Sequence, residues 1–314
     1  MVKRRTDSAA PSVGQGRLDA WVLIQPWARS PPAAAAPLPP RAHLAGPTVL
    51  ELFAGAGGMA LGLERAGFAH VALVERDAHA VHTLRANGFR NVRHADANRV
   101  DYTPWCGVVD LVAGGPPCQP FSQGGQHAGA ADRRDGWPAA VRAVDEVRPR
   151  AFLFENVGGL TRACFRPYLD EVLQRFRVLG YDVRWYAVEA ADHGVPQFRR
   201  RVFIVGLRRD ATRGEWHFAC PVPTLPSART TLRTCIADLG PPNNRNGHDV
   251  RKYAPRPYRG HTGAVLDAPC KTLTAGCHGP SGGCGIVVNL ETRELRYFTR
   301  REMARVQTFP DSYK

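Results

Sequence analysis

Residues 114–121 read Gly-Gly-Pro-Pro-Cys-Gln-Pro-Phe, and this is where covalent chemistry is concentrated. The apolar run Val108–Ala113 before it has the character of a buried strand. Two prolines with fixed φ then stiffen the approach to Cys118. A thiol held partly exposed at a strand's carboxyl edge, near positive charge, ionises and attacks electron-poor carbon. The competing reading is a buried cysteine that only fills space; a Pro-rich, Gly-flanked loop argues against it. The next apolar run, Ala151–Glu155, ends in Glu155-Asn156-Val157. A carboxyl group buried near a nucleophile keeps its proton and donates to a ring nitrogen, unless it is merely a capping acid. Farther on, alternation in Gln197-Phe198-Arg199-Arg200-Arg201 puts Arg199 and Arg201 on one face of an extended segment. Two guanidinium groups there suit phosphate or base-carbonyl contacts, with salt bridges as the alternative.

A second group of residues has the pattern of a nucleoside site. The run Val49–Phe53 leads into Phe53-Ala54-Gly55-Ala56-Gly57-Gly58, where glycines let the backbone turn tightly and approach a ligand. By itself this is equally an ordinary strand-to-helix turn. Glu75 ends the next run, His70–Glu75, and lies 20 residues beyond Gly55, the spacing at which an acid meets ribose hydroxyls in a βαβ unit. Asp96 follows a third strand-like piece and can accept a hydrogen bond from an adenine amino group. No P-loop lysine is present, which argues against a nucleoside triphosphate.

These residues need a scaffold that delivers them to one edge. Short apolar runs, continuing with Val183–Val188 and Val202–Val205, alternate with helical patterns at Met59–Ala66, Ala78–Ala86, Trp137–Val147 and Arg166–Leu179. That alternation predicts an α/β fold, a doubly wound and mostly parallel sheet over residues 47–209, with ligands beyond the strands' carboxyl ends. Residues 210–290, rich in Pro, Gly, Arg and Thr, read as a small irregular domain. Residues 291–314 return to a helical pattern, with Thr299 and Glu302 spaced as a capping box. Residues 1–46, with SPPAAAAPLPP, read as a disordered tail; the apolar patch Trp21–Trp27 within it can dock elsewhere.

Net charge is +14, from 42 Lys+Arg against 28 Asp+Glu, which points to a polyanion partner. The charge is concentrated in 197–209, with five arginines and no acid, and in Arg229–Arg259, with six arginines and one lysine against Asp238 and Asp249. No apolar run reaches the roughly 18 residues of a membrane span, and the N-terminus lacks an apolar signal core, so a cytoplasmic protein is expected. Cys270, Cys277 and Cys284 recur near His278, but the short spacing of zinc ligands is missing, and no metal is expected.

Taken together, the segments ELFAGAGGMALGLERAGF, ALVERDAHA, DLVAGGPPCQPFSQGG, FLFENVGGL, DHGVPQFRRRVFIVG and YFTRREMARVQTFPD closely resemble the DNA (cytosine-5) methyltransferase family, in the family's order and across residues 50–311. The resemblance implies the methyltransferase variant of the doubly wound (Rossmann-like) sheet and S-adenosyl-L-methionine as co-substrate. Phe53, Ala54, Gly55, Gly57, Gly58 and Pro116 would then line the donor's methionine end, with Glu75 on its ribose and Asp96 on its adenine. Cys118 would be the nucleophile, Glu155 the acid beside the base, and Arg199 and Arg201 the hold on a flipped nucleotide. The partner would be double-stranded DNA, alongside a cognate restriction endonuclease. Residues 210–290 would recognise the target, with Arg245, Asn246, Arg251, Lys252 and Arg256 as readers or phosphate contacts, and residues 123–135 would close over the base. Family members continue past the FPD segment to an Asn-containing segment and a final helix. This sequence stops at Lys314, so a truncated chain, a completing second polypeptide or an impaired protein is expected. Two alternatives share the motifs: a tRNA cytosine methyltransferase and a non-catalytic DNA-binding homologue.

Overall fold

The computed structural model describes residues 46–117, 135–249, 263–273, 286–288 and 295–314. Cys118, residues 123–134, Arg251, Lys252, Arg256, Cys277, His278, Cys284 and the Trp21–Trp27 patch lie outside them.

The larger sheet has seven strands: β1 (Thr48–Leu52), β2 (Ala69–Glu75), β3 (Val92–His94), β4 (Leu111–Gly114), β5 (Ala151–Val157), β6 (Tyr181–Glu189) and β7 (Arg200–Arg208). Their order is β3-β2-β1-β4-β5-β7-β6. The first five are parallel to one another, and β7 runs antiparallel to both β5 and β6. Helices α1 (Gly58–Arg65), α2 (Ala78–Ala86), α3 (Trp137–Val147) and α4 (Arg166–Val178) lie in the expected places. β4 begins three residues later than the apolar run suggests, because Asp110 is used as a staple. Its Oδ2 accepts the backbone N–H of Thr48 at 3.0 Å and the Thr48 hydroxyl at 3.1 Å. The antiparallel β7 has a simple cause. The link from β6 to β7 holds only a short 3₁₀ turn, Ala190–His193, too little chain for a parallel crossover.

The sheet's core is apolar and heavily aromatic. Phe152 stacks within 4.2 Å of Phe176 and 5.3 Å of Tyr181, and Trp137 meets Phe154 edge-on at 5.9 Å. Gly206 on β7 leaves room for the Phe152 ring, which a Cβ there would overlap. α3 buries Trp137, Ala139, Ala140, Ala143, Val144 and Val147, the stripe that a helix lays against a sheet.

After α5 (Arg209–Thr212) comes a smaller unit, with α6 (Leu232–Ile236), a three-stranded sheet of β8 (Ala264–Val265), β9 (Ile286–Val288) and β10 (Leu295–Tyr297), and α7 (Arg300–Val306). Its core joins Leu232 and Ile236 to Leu273, Phe298 and Val306, so α7 packs with α6. The Thr299–Glu302 capping box forms as expected. The chain then crosses to the large sheet's helices. Tyr313 packs on the Leu84 and Phe89 cluster, and its hydroxyl donates to the Ala56 carbonyl at 2.5 Å. Buried Arg301 ties that crossing to the small unit, donating to Asn246 and to the carbonyls of Pro310 and Tyr313.

Candidate active site

The strand order reverses between β1 and β4, and a cleft opens at their carboxyl ends, as expected for a doubly wound sheet. It holds about 340 Å³ and is lined by Phe53, Glu75, Asp96, Gly115, Pro117, Asp135 and Gly136, together with neighbours of Glu75 and Asp96 along the chain. Phe53 ends β1 in a left-handed conformation, φ +55°, which turns the chain sharply into the glycine-rich loop. Such a backbone in a residue with a side chain costs about 1–3 kcal/mol and is found where function requires it. Gly57 also needs its freedom: φ is +90°, and a Cβ would sit 2.8 Å from Leu84 Cδ2.

Glu75 is organised by the loop it faces. Its Oε2 accepts the Gly55 N–H at 2.8 Å, and its Oε1 accepts those of Arg76 and Asp77, each at 2.8 Å. A carboxylate has about four acceptor sites, so one remains for a sugar hydroxyl. Asp96 is fixed by Asn98, whose backbone and side-chain amides both donate to Oδ1, at 2.9 and 3.0 Å. The loop behind Asp96 hangs on Arg142 of α3, which donates to the carbonyls of Ala97 (2.9 Å) and Val100 (2.8 Å). Acids at the ends of β2 and β3, a bare glycine turn and a cleft of this size fit a nucleoside with a short polar tail.

Of the expected methionine-end residues, Phe53 lines the cleft and Gly55 is bonded to Glu75. Ala54 and Gly57 are buried beneath the turn, and Gly58 opens α1. Pro116 is buried, and its carbonyl accepts from Asn156 Nδ2 at 3.2 Å; its neighbour Pro117 faces the cleft.

Glu155 sits beside this cleft. A Cβ on Gly115 would be 3.4 Å from Glu155 Oε2. On the other side Arg201 Nε reaches Glu155 Oε1 at 2.6 Å. The acid is thus held by a guanidinium rather than isolated in apolar packing. Arg199 lies behind the pair, half-buried, with Nη1 donating to the Leu273 carbonyl at 3.3 Å. Burial, then the adjacent Arg201, pull its pKa below the usual guanidinium value. Arg199 lies close enough to Arg201 and Glu155 to feel both charges.

The two basic stretches are less available to a polyanion than their composition implies. Arg208 pairs with Asp210, Arg209 with Asp182, Arg229 with Asp192 and Arg233 with Asp267. Asn246, a candidate reader or phosphate contact, is engaged by the C-terminal segment: its Oδ1 accepts from Arg301, and its Nδ2 donates to the Asp311 carbonyl. Arg245 is exposed on the same loop. The sequence reading missed Arg142, Asp135 and Tyr168. Asp135 carries a visible signal, an acid two residues ahead of a helix start, and its Oδ1 accepts the Trp137 N–H at 3.0 Å. Arg142 and Tyr168 carry none.

Among the described residues no helix is long and apolar enough to cross a membrane. The model of the C-5 cytosine-specific DNA methylase family matches residues 47–263. The Type II methyltransferase M.NgoMIV of Neisseria gonorrhoeae is 38% identical over 280 residues, covering 85% of this chain and 88% of that protein. M.NaeI of Lentzea aerocolonigenes is 42% identical over 198 residues, covering 61% of this chain and 47% of that protein. In fold, the chain is similar to the S. pombe Dnmt2 methyltransferase, with a TM-score of 0.64, 23% identity, and 85% and 88% of the two chains covered. A family model spanning most of the chain and a relative alike over nearly its whole length agree: the chain belongs to the C-5 cytosine-specific DNA methylase family.

Proposed function

We propose that this chain methylates carbon 5 of a cytosine flipped out of a specific DNA sequence, with Cys118 as nucleophile and Glu155 as the group that steadies the ring. Its family makes it a DNA (cytosine-5) methyltransferase that uses S-adenosyl-L-methionine. The observation that carries the residue roles is the position of Gly115. It lines the donor cleft and approaches Glu155, so the strand edge that leads into Cys118 runs between donor and acid.

The residues divide the work according to the chemistry of cytosine. Carbon 5 is a poor nucleophile while the ring is aromatic. The Cys118 thiolate forms a bond to carbon 6, and the displaced π electrons load ring nitrogen 3 and carbon 5. Glu155, oriented by Arg201, takes up a proton from water and donates it in a hydrogen bond to nitrogen 3, which offsets that charge. Carbon 5 forms its bond to the electrophilic methyl that the donor would supply, as the methyl–sulfur bond breaks and S-adenosyl-L-homocysteine leaves. A base, water in the simplest case, removes the carbon 5 proton; the electron pair restores the ring double bond, and the C6–S bond breaks to release the thiolate. Glu75, Asp96 and the glycine turn hold the donor, and Phe53 and Pro117 wall its reactive end. Carbon 6 cannot be reached inside a duplex, so the base leaves the stack at a cost of about a few kcal/mol, which pocket contacts offset. Arg199 and Arg201 supply those contacts, and residues 210–290 the target preference. A restriction endonuclease of the same specificity is the expected companion, in the cytoplasm where the DNA lies.

The test is trapping on a duplex that carries 5-fluorocytosine, with S-adenosyl-L-methionine present. Fluorine blocks the last elimination, so the parent forms a stable protein–DNA adduct and Cys118→Ser forms none. Folded parent protein that gives no adduct and leaves cellular DNA unmethylated by bisulfite sequencing overturns the reading.

A further inference from the structure

We propose that Tyr168 is a positioning residue for the donor cleft, acting through Asp135. The proposal rests on the reading of this cleft as the S-adenosyl-L-methionine site. Tyr168 lies on α4, outside the cleft's lining, and reaches it only through Asp135. Its phenol donates to Asp135 Oδ2, while Asp135 Oδ1 accepts the Trp137 N–H at 3.0 Å. The carboxylate is thereby clamped between the first turn of α3 and the side of α4. Burial, with the charge of Asp135 next, pushes the phenol's pKa well above its ordinary value, so the bond keeps its proton.

What this clamp holds is a wall of the cleft. Asp135 and Gly136 line it together with Pro117 and Phe53. The fit is tight: a Cβ on Gly136 would stand 2.5 Å from Pro117 Cδ and 3.1 Å from Phe53 Cζ. The two sides of the wall come from before and after residues 118–134, and they meet here. A small rotation of Asp135 therefore moves Gly136 against Pro117 and Phe53 and alters the space left for the donor. The middle of the same helix is fixed independently, since Arg142 holds the carbonyls behind Asp96. Tyr168 sets the end that α3 leaves open.

Calorimetric titration of S-adenosyl-L-methionine into the protein without DNA tests this. Tyr168→Phe keeps the ring and removes the donor, and its Kd is expected to rise at least fivefold. Asp135→Ala behaves alike, Asp135→Asn recovers to within twofold of the parent because its carbonyl keeps the Trp137 N–H while its amide N–H₂ donates to the Tyr168 oxygen, and combining Tyr168→Phe with Asp135→Ala adds little beyond either. Tyr181→Phe is the control. It removes a buried hydroxyl bond to the Pro149 carbonyl, 2.7 Å long and far from the cleft, and is expected to lower melting temperature while leaving Kd unchanged. Tyr168→Phe with Kd within twofold of the parent overturns the proposal, as does an equal loss of affinity in Tyr181→Phe. A parent protein that does not bind the donor at all overturns instead the assignment of the cleft.

Discussion

Gly136→Ala separates positioning from stability at this site. The backbone of Gly136, φ −90° and ψ −9°, is open to any residue, so the substitution carries no conformational penalty. With free space it would even stabilise by about 0.4–1 kcal/mol, through a less flexible unfolded chain. Space is what is missing: the new methyl would lie 2.5 Å from Pro117 Cδ and 3.0 Å from Pro117 N. Carbon–carbon contacts settle near 3.5–4.0 Å, so something must move by about 1 Å. Pro117 is a rigid ring, and the residue after it is Cys118. Overpacking costs about 1–3 kcal/mol, leaving a net loss of about 0–2.6 kcal/mol after the unfolded-state gain. A misplacement of about 1 Å costs about 100-fold in rate. The expected signature is a drop of about 100-fold in kcat/KM for methyl transfer to DNA, read with labelled donor, alongside a melting temperature lowered by a few degrees. Gly62→Ala is the control: it is exposed in α1, with nothing within 4 Å of the new methyl. It should stabilise by up to about 1 kcal/mol and leave kcat/KM alone. Gly136→Ala with kcat/KM within twofold of the parent would refute the reasoning that this wall fixes the reacting groups.

Glu75→Gln places an amide N–H₂ where at least one of three backbone donors now finds an acceptor. Donor affinity is expected to fall at least tenfold by calorimetry, and stability by about 1–3 kcal/mol in urea unfolding, from a donor left unpaired. Arg301→Met removes the hub between the units and is expected to raise amide hydrogen exchange in residues 309–314, while the sheet core stays protected; unchanged exchange there would refute its bracing role. Burial raises the Tyr313 phenol to about 12 from its ordinary value near 10. A raised folded-state pKa stabilises below the unfolded value and loses that contribution as pH climbs from about 10 through about 12. Docking of the C-terminal segment should therefore loosen in that window, and Tyr313→Phe should flatten the pH dependence of melting temperature there.

The sequence was most informative where a residue's neighbours along the chain decide its environment. Alternating apolar runs and helical stripes located the strands and helices of the large sheet, because burial on a sheet or helix face imposes a period of 2 or 3.6 residues. The Thr299 capping box follows from spacing alone. So does the meeting of Glu75 with Gly55, since a strand–helix–strand unit returns the chain to its own start. The cluster of acids and glycines at the carboxyl edge was legible for the same reason.

Tertiary structure alone decided which of those groups are free to act. Charge composition marked two basic stretches for a polyanion, yet Arg208, Arg209, Arg229 and Arg233 are tied to Asp210, Asp182, Asp192 and Asp267. Arg201 reaches Glu155 across 46 residues of chain, because β7 runs antiparallel beside β5. Asn246 is engaged because the C-terminal segment crosses over it, and Tyr168 reaches the cleft only because α3 and α4 lie side by side. Each of these pairings joins residues far apart in sequence. Local periodicity reports which face is buried, but it is silent on which distant partner the fold will bring to that face.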